Sequence, residues 1–438
     1  MLVSLVAFGV LLPLGFAVCT ILRMNQYTGS GGVLQQTQRN FFYDFKPSMA
    51  LSKVPHMLSI AMEYAAIPYS AALQDEPMRK LRALLKAEYT DVKKDPKFAR
   101  RKEQHVKAHM LILAQACRKT REVDPALQPD LKPVLSLVPR LFELALKVSL
   151  TPANQLGYTY MRPTLSLLEF SQCFTQAVAP SVRKPATTSE KAVALGEGIA
   201  SLLQLPHVDE RVATNLLRKK CGSVGDLMAT CGGSARVEAL KAAGLSDGAA
   251  ADVEAHLRFV PRAEVFTASV ETEGEGVMTE LDVVTCTVNL KMSRGGLPAR
   301  TLAIAGAAVG EGGGESVGAE GAAAAPGSWG NDNCGLVVAG KDDLPPLPFC
   351  THCEREEGWW LLVTDPASNF TLAHRTLDAK AIEEAQRNPR GKSFELKFNV
   401  PTAGTYSLSV LLVSDYWIGV DAKWACKVKV LKRTKVRS

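Results

Sequence analysis

Cys350-Thr351-His352-Cys353 is the stretch of this chain best spaced for chemistry. A CxxC pair can be half of a zinc site or a dithiol redox couple. Zinc needs four ligands, and only Cys334 and His352 lie nearby, with no second CxxC. A thioredoxin-like pair opens a helix in a β-α-β setting, which is absent here. His105 and His109 stand one helical turn apart, a spacing that binds metal when a Glu or Cys completes the set. None does, so exposed or partly buried histidines are expected. The stretch from Leu202 to Leu227 has the layout of a helix-hairpin-helix unit. A nucleic-acid-binding hairpin offers glycine amides to phosphate, but here His207, Asp209 and Glu210 fill the turn. Two acids repel phosphate, so a structural role is expected. The chain has no GxxxxGK followed by Ser or Thr, no paired acidic helicase motif, no HExxH and no GxSxG. Nothing argues for an enzyme, and neither a cofactor nor a metal is expected.

The elements that must position these residues begin with an apolar run from Leu2 to Leu22. About 20 such residues span a bilayer core as a helix, and Pro13 kinks such a helix without forbidding it. Arg23, Arg39, Lys46 and Lys53 come next, and nothing charged precedes. The positive-inside rule then puts the bulk of the chain in the cytosol. A cleaved signal peptide is the competing reading, with Gly15 and Ala17 before the cut, but it lacks a basic n-region. Tyr27, Phe41, Phe42 and Tyr43 are either interfacial aromatics or the first core contacts.

Helical spacing predicts helices over 48–64, 76–88, 108–120, 131–150, 164–178, 235–240 and 247–259. Lys93 to Lys107 reads as a solvated, basic helix start. After Pro261 the pattern changes to strands. Glu395, Lys397 and Asn399 alternate with Leu396, Phe398 and Val400, the period of a half-buried strand. Residues 264–272, 283–292, 359–363 and 405–413 add further strands, with a short helix at 378–388 between two of them. Residues 295–340 are rich in Gly, Ala, Ser and Pro, a composition expected of a disordered insertion. The chain of 438 residues is long enough for two or three domains, and its net charge of +7 is mild for that length. The ten scattered cysteines fit reduced thiols rather than a disulfide scaffold.

Several motifs together carry a family resemblance. Glu357-Gly358-Trp359-Trp360, the stretch Phe394 to Pro401 with Gly404 and Tyr406 after it, and Ser414-Asp415-Tyr416-Trp417-Ile418-Gly419-Val420-Asp421 resemble the C-terminal module of the Sec sixty-three family. Arg162-Pro163-Thr164-Leu165 and Leu202-Leu203-Gln204-Leu205-Pro206-His207 are similar to its helical part. The stretch from Arg23 to Gly29, then Thr37-Gln38, is similar to the segment after that family's third membrane span. A related module ends spliceosomal RNA helicases, so the strand motifs identify the module better than the function. The resemblance implies protein-translocation machinery of the endoplasmic reticulum membrane.

The expected organisation is a multidomain α plus β chain, with a transmembrane helix at 1–24, a helical bundle at 25–202 and a helix-hairpin-helix-like unit at 203–261. A fibronectin-III or immunoglobulin-like β-sandwich takes 262–432, and 433–438 form a basic tail. The resemblance implies a non-enzymatic scaffold that docks on the Sec channel. Its implied partners are the channel subunits, a Sec sixty-two-type protein and the membrane; nucleic acid is not an expected partner. Family members carry a J domain upstream, whose His-Pro-Asp stimulates the lumenal heat-shock chaperone. No His-Pro-Asp occurs here, and a sequence truncated at its N-terminus is expected. The basic end also departs from the acidic tract with which many members bind the Sec sixty-two partner. Trp359, Trp360, Asp415, Gly419 and Asp421 mark the module, with structural roles expected. Two other readings remain. One is an RNA-processing adaptor without an ATPase. The other is a secreted protein with paired cysteines and a glycan at the Asn369-Phe370-Thr371 sequon.

Overall fold

The computed structural model describes residues 32–88, 100–183, 199–229, 233–272, 278–294, 357–400 and 402–432. The expected anchor at 1–24, the insertion at 295–340, the CxxC pair and the tail at 433–438 lie outside the described residues. Among the described residues, no helix is long and apolar enough to cross a membrane.

The N-terminal part is helical: α1 (Gln35–Asp44), α2 (Val54–Leu58), α3 (Ala71–Leu84), α4 (Glu103–Ala116), α5 (Gln128–Leu135), α6 (Val138–Ser149) and α7 (Met161–Gln176). Two expected long helices are broken. The stretch 131–150 divides between α5 and α6, because Pro139 starts α6 in its first turn. Proline has no N–H to donate and disfavours helix in the residue before it. The stretch 48–64 becomes two 3-10 turns around α2, itself opened by Pro55.

Five shorter helices come next: α8 (Ala200–Leu203), α9 (Glu210–Arg218), α10 (Val224–Ala229), α11 (Gly233–Ala243) and α12 (Asp247–Leu257). The start of α9 is fixed by Asp209, whose carboxylate accepts from the Val212 amide at 2.7 Å. Ser246 caps α12 in the same way. Such caps satisfy amides that the first helical turn leaves unpaired.

The strands form two antiparallel sheets. Three strands, β2 (Pro261–Thr272), β3 (Val283–Arg294) and β6 (Lys392–Asn399), make the smaller one in the order β2-β3-β6. The larger one contains β1 (Thr159–Tyr160), β4 (Trp359–Asp365), β5 (Phe370–Leu377), β7 (Gly404–Ser414) and β8 (Ala422–Val430), in the order β1-β5-β4-β7-β8. Helix α13 (Ala379–Arg387), capped by Asp378, joins β5 to β6. The edge strand β1 comes from the helical part, pairing Thr159 with Thr371 and Tyr160 with Phe370.

The two sheets differ in how they are buried. In β6 buried and exposed residues alternate, as its sequence pattern predicts. In β4 and the second half of β7 nearly every residue is buried, because the sheet is covered on both faces. Trp359, Leu361, Val363, Val410 and Leu412 face the smaller sheet and α8–α12 in one core. Trp360, Leu362, Leu411 and Val413 face the helices of the N-terminal part in the other. A strand covered on both sides loses the period-2 signal and reads as an apolar run.

Candidate functional site

Three of the five marker residues, Asp415, Gly419 and Asp421, lie in the loop 414–421, which packs on α7, and Trp359 shares the Glu357 carboxylate with Trp417 of that loop. This loop comes directly after β7, and Ser414 Oγ accepts from the amides of Tyr416 and Trp417 to turn it. Gly419 has φ +85, a left-handed conformation that favours glycine. Asp421 closes the loop, its Oδ1 accepting from the Ser414 amide at 2.7 Å.

Asp415 ties the loop to the start of β4. Its Oδ1 accepts from the Gly358 amide at 2.8 Å, and its own amide donates to the Gly358 carbonyl. A Cβ on Gly358 would stand 2.6 Å from Asp415 Oδ2, so this glycine is required by space rather than by φ. Gly358→Ala is therefore expected to lower stability by about 1–3 kcal/mol. A urea midpoint within error of the parent chain would refute this reading of the contact.

Trp359 is buried on the inner face, and its Nε1 donates to Glu357 at 2.6 Å. Trp417, also buried, donates to the other oxygen of Glu357 at 2.9 Å. Arg294, at the end of β3, donates to both oxygens at 2.8 and 2.9 Å and to the Phe259 carbonyl at 3.1 Å. Trp360 points to the opposite face and packs against the helical core. The marker set thus straddles the sheet, with Glu357 as its charged centre.

Helix α7 receives the loop. Three of its buried polar residues reach the loop: Ser171 donates to the Asp415 carbonyl at 2.6 Å, Gln172 to the Ser414 carbonyl at 2.6 Å, and Gln176 to the Tyr416 carbonyl at 2.9 Å. Gln204, just past α8, holds the Ile418 carbonyl at 2.5 Å and accepts from the Ile418 amide at 3.0 Å. Gln172 also donates to Asp421, and Arg183 lies 3.9 Å from that carboxylate. Burial pushes Asp421 up to about 6, with Arg183 pulling the other way. Such a network fixes one arrangement of two layers, because each unmade buried hydrogen bond is costly.

Sequence reasoning missed Glu357, Arg294, Gln172, Gln176, Arg183 and Gln204 as members of this junction. The signal available was the i, i+4 pair Gln172 and Gln176, set among Phe170, Cys173 and Phe174. The junction is buried and most of its polar groups bond within the protein, across the two parts of the molecule.

The histidine pair behaves differently from expectation. His105 is half-buried and bonds the Ser59 carbonyl at 2.9 Å, but His109 is fully buried. Its ring lies 6.2 Å from that of His56, and Arg101 Nη2 approaches His56 Nε2 at 2.8 Å. A guanidinium there opposes a metal cation. Among the described residues, no group of three or more His, Cys, Asp or Glu side chains could hold a metal ion. The five described cysteines Cys117, Cys173, Cys221, Cys286 and Cys426 are free thiols.

These buried rings predict acid lability. Burial holds His109 down to about 3, with the neighbouring His56 adding to it, and holds His256, edge-on to Trp417, down to about 4. An unfolded histidine takes a proton near 6.5, so the unfolded state binds more protons as pH falls below that value. From pH 7 to pH 5 each ring costs about 2 kcal/mol of stability, while Asp421, raised in the fold, returns about 1 kcal/mol. Burial lowers His105 and His374 too, adding to the loss, whereas it raises Glu88 and Glu169, opposing it. The urea midpoint should fall between pH 7 and pH 5, and His256→Gln should flatten that slope. A midpoint that rises on acidification refutes the assignment.

The hairpin after α8 is closed by side chains. His207 adopts φ +61 and pairs with Asp252 at 2.8 Å, while Asp209 serves as the α9 cap. Asp209 and Glu210 remain exposed, and the turn has no glycine.

The described fold defines a two-part module: a helical half and a two-sheet half, locked by a buried polar junction around the loop 414–421. A family model described as the Sec63 Brl domain matches residues 32–427. The chain belongs to that family. It is 32% identical to the DnaJ protein ERDJ2A of Arabidopsis thaliana, over 99% of this chain and 61% of that protein. It is 29% identical to ERDJ2B of the same plant, over 99% of this chain and 62% of that protein. The chain thus spans about three fifths of the length of these relatives. A weaker similarity, 23% identity over 76% of this chain, links it to 11% of the U5 small nuclear ribonucleoprotein 200 kDa helicase of Drosophila melanogaster.

Proposed function

We propose that this chain is a non-enzymatic scaffold of the protein-translocation machinery at the endoplasmic reticulum membrane. In this reading residues 1–24 anchor it, the described parts face the cytosol, and it docks on the Sec channel to support post-translational import. The observation that carries the reading is the family match across 32–427 on a chain whose first residues have the composition of a membrane span. The two sheets serve as a fibronectin-III-like sandwich whose outer loops meet the channel. The buried junction gives the scaffold stiffness, so that a force on the sandwich moves the helical half with it. Partners are the channel subunits and a Sec sixty-two-type protein. A lumenal heat-shock chaperone joins them where a J domain lies upstream, in keeping with the relatives' name of DnaJ protein.

The Asn369 side chain is used within the fold. Its Nδ2, the atom a glycan would occupy, donates to the Pro47 carbonyl at 2.9 Å, and its Oδ1 accepts from the Arg162 amide at 3.0 Å. The helicase similarity favours a second reading, an RNA-processing adaptor. That reading requires salt-sensitive RNA binding from a soluble fraction.

The deciding experiment is affinity purification of the tagged chain from mild-detergent membranes, with partners identified by mass spectrometry. Recovery of Sec channel subunits is the expected result. Recovery of splicing factors from a soluble fraction, with no channel subunits, would transfer the module to the RNA-processing branch.

A further inference from the structure

Three aromatics stand in a row at the end of α1, and the fold treats them differently. Phe41 is fully buried, while Phe42 is 59% exposed and Tyr43 is 82% exposed. The two exposed rings meet edge to face, 6.3 Å apart. They flank an open cleft of about 590 Å³ between α1 and the C-terminal end of α6, lined also by Gln38, Arg39, Lys147 and Val148. The exposed charges of α1, α6 and the residues just after α1 lean basic: Arg39, Lys46, Arg140 and Lys147 against Glu143 and the half-exposed Asp44.

Aromatic rings flanked by arginine and lysine suit the boundary between lipid headgroups and acyl chains. The rings have an apolar body for the acyl side, tyrosine keeps a polar tip in water, and the cations meet phosphate. The position of α1 in the chain points to the same occupant. It starts at Gln35, twelve residues after Arg23, the charge that bounds the apolar run. Twelve residues reach about 40 Å at most. A span at 1–24 therefore keeps this face beside the bilayer, at a high effective concentration of lipid.

We propose that the face made by Arg39, Phe42 and Tyr43 of α1 with Lys147 of α6 docks on anionic phospholipid headgroups. The contact rests on the anchor reading and orients the helical half relative to the bilayer. Each basic residue held at an anionic leaflet raises local partitioning about fivefold.

Photo-crosslinking of the full chain in proteoliposomes tests this. Benzoylphenylalanine replaces Phe42 in one chain and Tyr43 in another, with Leu73 and Leu217, both exposed on other elements, as control positions. Vesicles are phosphatidylcholine with or without phosphatidylserine, and the mass of the irradiated chain reports a lipid adduct. The expected result is an adduct at 42 and 43, absent at the controls and stronger with phosphatidylserine. Arg39→Ala and Lys147→Ala should each reduce it about fivefold. An adduct to residues 1–31 or to a second copy of the chain overturns the proposal, as does a chain that resists alkaline extraction yet carries no lipid. A chain released by alkaline extraction overturns the anchor, and the proposal with it.

Discussion

Glu357→Ala is expected to cost about 3–5 kcal/mol of stability, among the largest effects a single substitution has in this fold. The carboxylate holds the Arg294 guanidinium with two hydrogen bonds and the indole N–H groups of Trp359 and Trp417 with one each. Both members of the ion pair keep only 11% of their side-chain surface exposed. Truncation leaves two indole donors without their acceptor and a buried cation with only the Phe259 carbonyl, and the penalty for an uncompensated buried charge exceeds the net worth of the pair. The clamp also joins β3 to the start of β4, so the loss should appear as one cooperative unfolding transition at lower urea. The double substitution Arg294→Met with Glu357→Leu should recover a large part of the loss. An effect below about 1 kcal/mol for Glu357→Ala would show that water replaces the clamp at little cost.

Lys107→Met should be of similar size, again about 3–5 kcal/mol, for a related reason. Lys107 lies on α4 and its side chain has no exposed surface. Its ammonium donates to the Pro68 carbonyl at 2.5 Å, to Gln74 Oε1 at 3.1 Å and to Asp130 at 2.8 Å, and sits 5.6 Å from the centre of the Tyr69 ring. Three donors therefore meet three acceptors, contributed by the segment before α3, by α3 and by α5. Methionine fills the volume but leaves the Asp130 carboxylate without a counter-charge and with only the longer bond from Gln74 Nε2 at 3.3 Å, so Lys107→Met with Asp130→Leu should be less damaging than Lys107→Met alone. If the double variant is the worse of the two, the ion pair is not what holds these helices together.

Lys107 also shows where local reading fails. It closes the run Lys93 to Lys107, which reads as a solvated helix start, and Lys102 and Glu103 are indeed exposed. One turn further the helix enters the core, and the same residue type becomes a buried tie. His109 takes the same course: expected at or near the surface, it is fully buried beside His56. Period and composition describe a helix face, but they do not say how many neighbours cover it.

The aromatics after the apolar run divide in the opposite direction. The sequence leaves open whether Phe41, Phe42 and Tyr43 are core contacts or interfacial groups, and the fold makes Phe41 the first and leaves the other two outside. In the β part, alternation identified β3 and β6 because each shows one buried and one more open face. The sequence placed β4 and β7 as strands too, yet did not show that the helices cover their second face.

By itself the sequence placed β2, β3, β4, β6 and β7 and several of the helices, since these depend on short-range periodicity and on proline, while β1, β5 and β8 took their ranges from the fold. Together with its motifs it also determined the family. Only the tertiary structure decided that the loop carrying Asp415, Gly419 and Asp421 forms a junction with the helices. The bonds of that junction link Ser171 to Asp415, Gln172 to Asp421 and Gln204 to Ile418, pairs more than 200 positions apart. Glutamine and serine carry no signature of such bonds in a helix, because their alternative partner is water. Excluding that water is a property of two packed layers, so the role of these residues exists only once both halves have folded against each other.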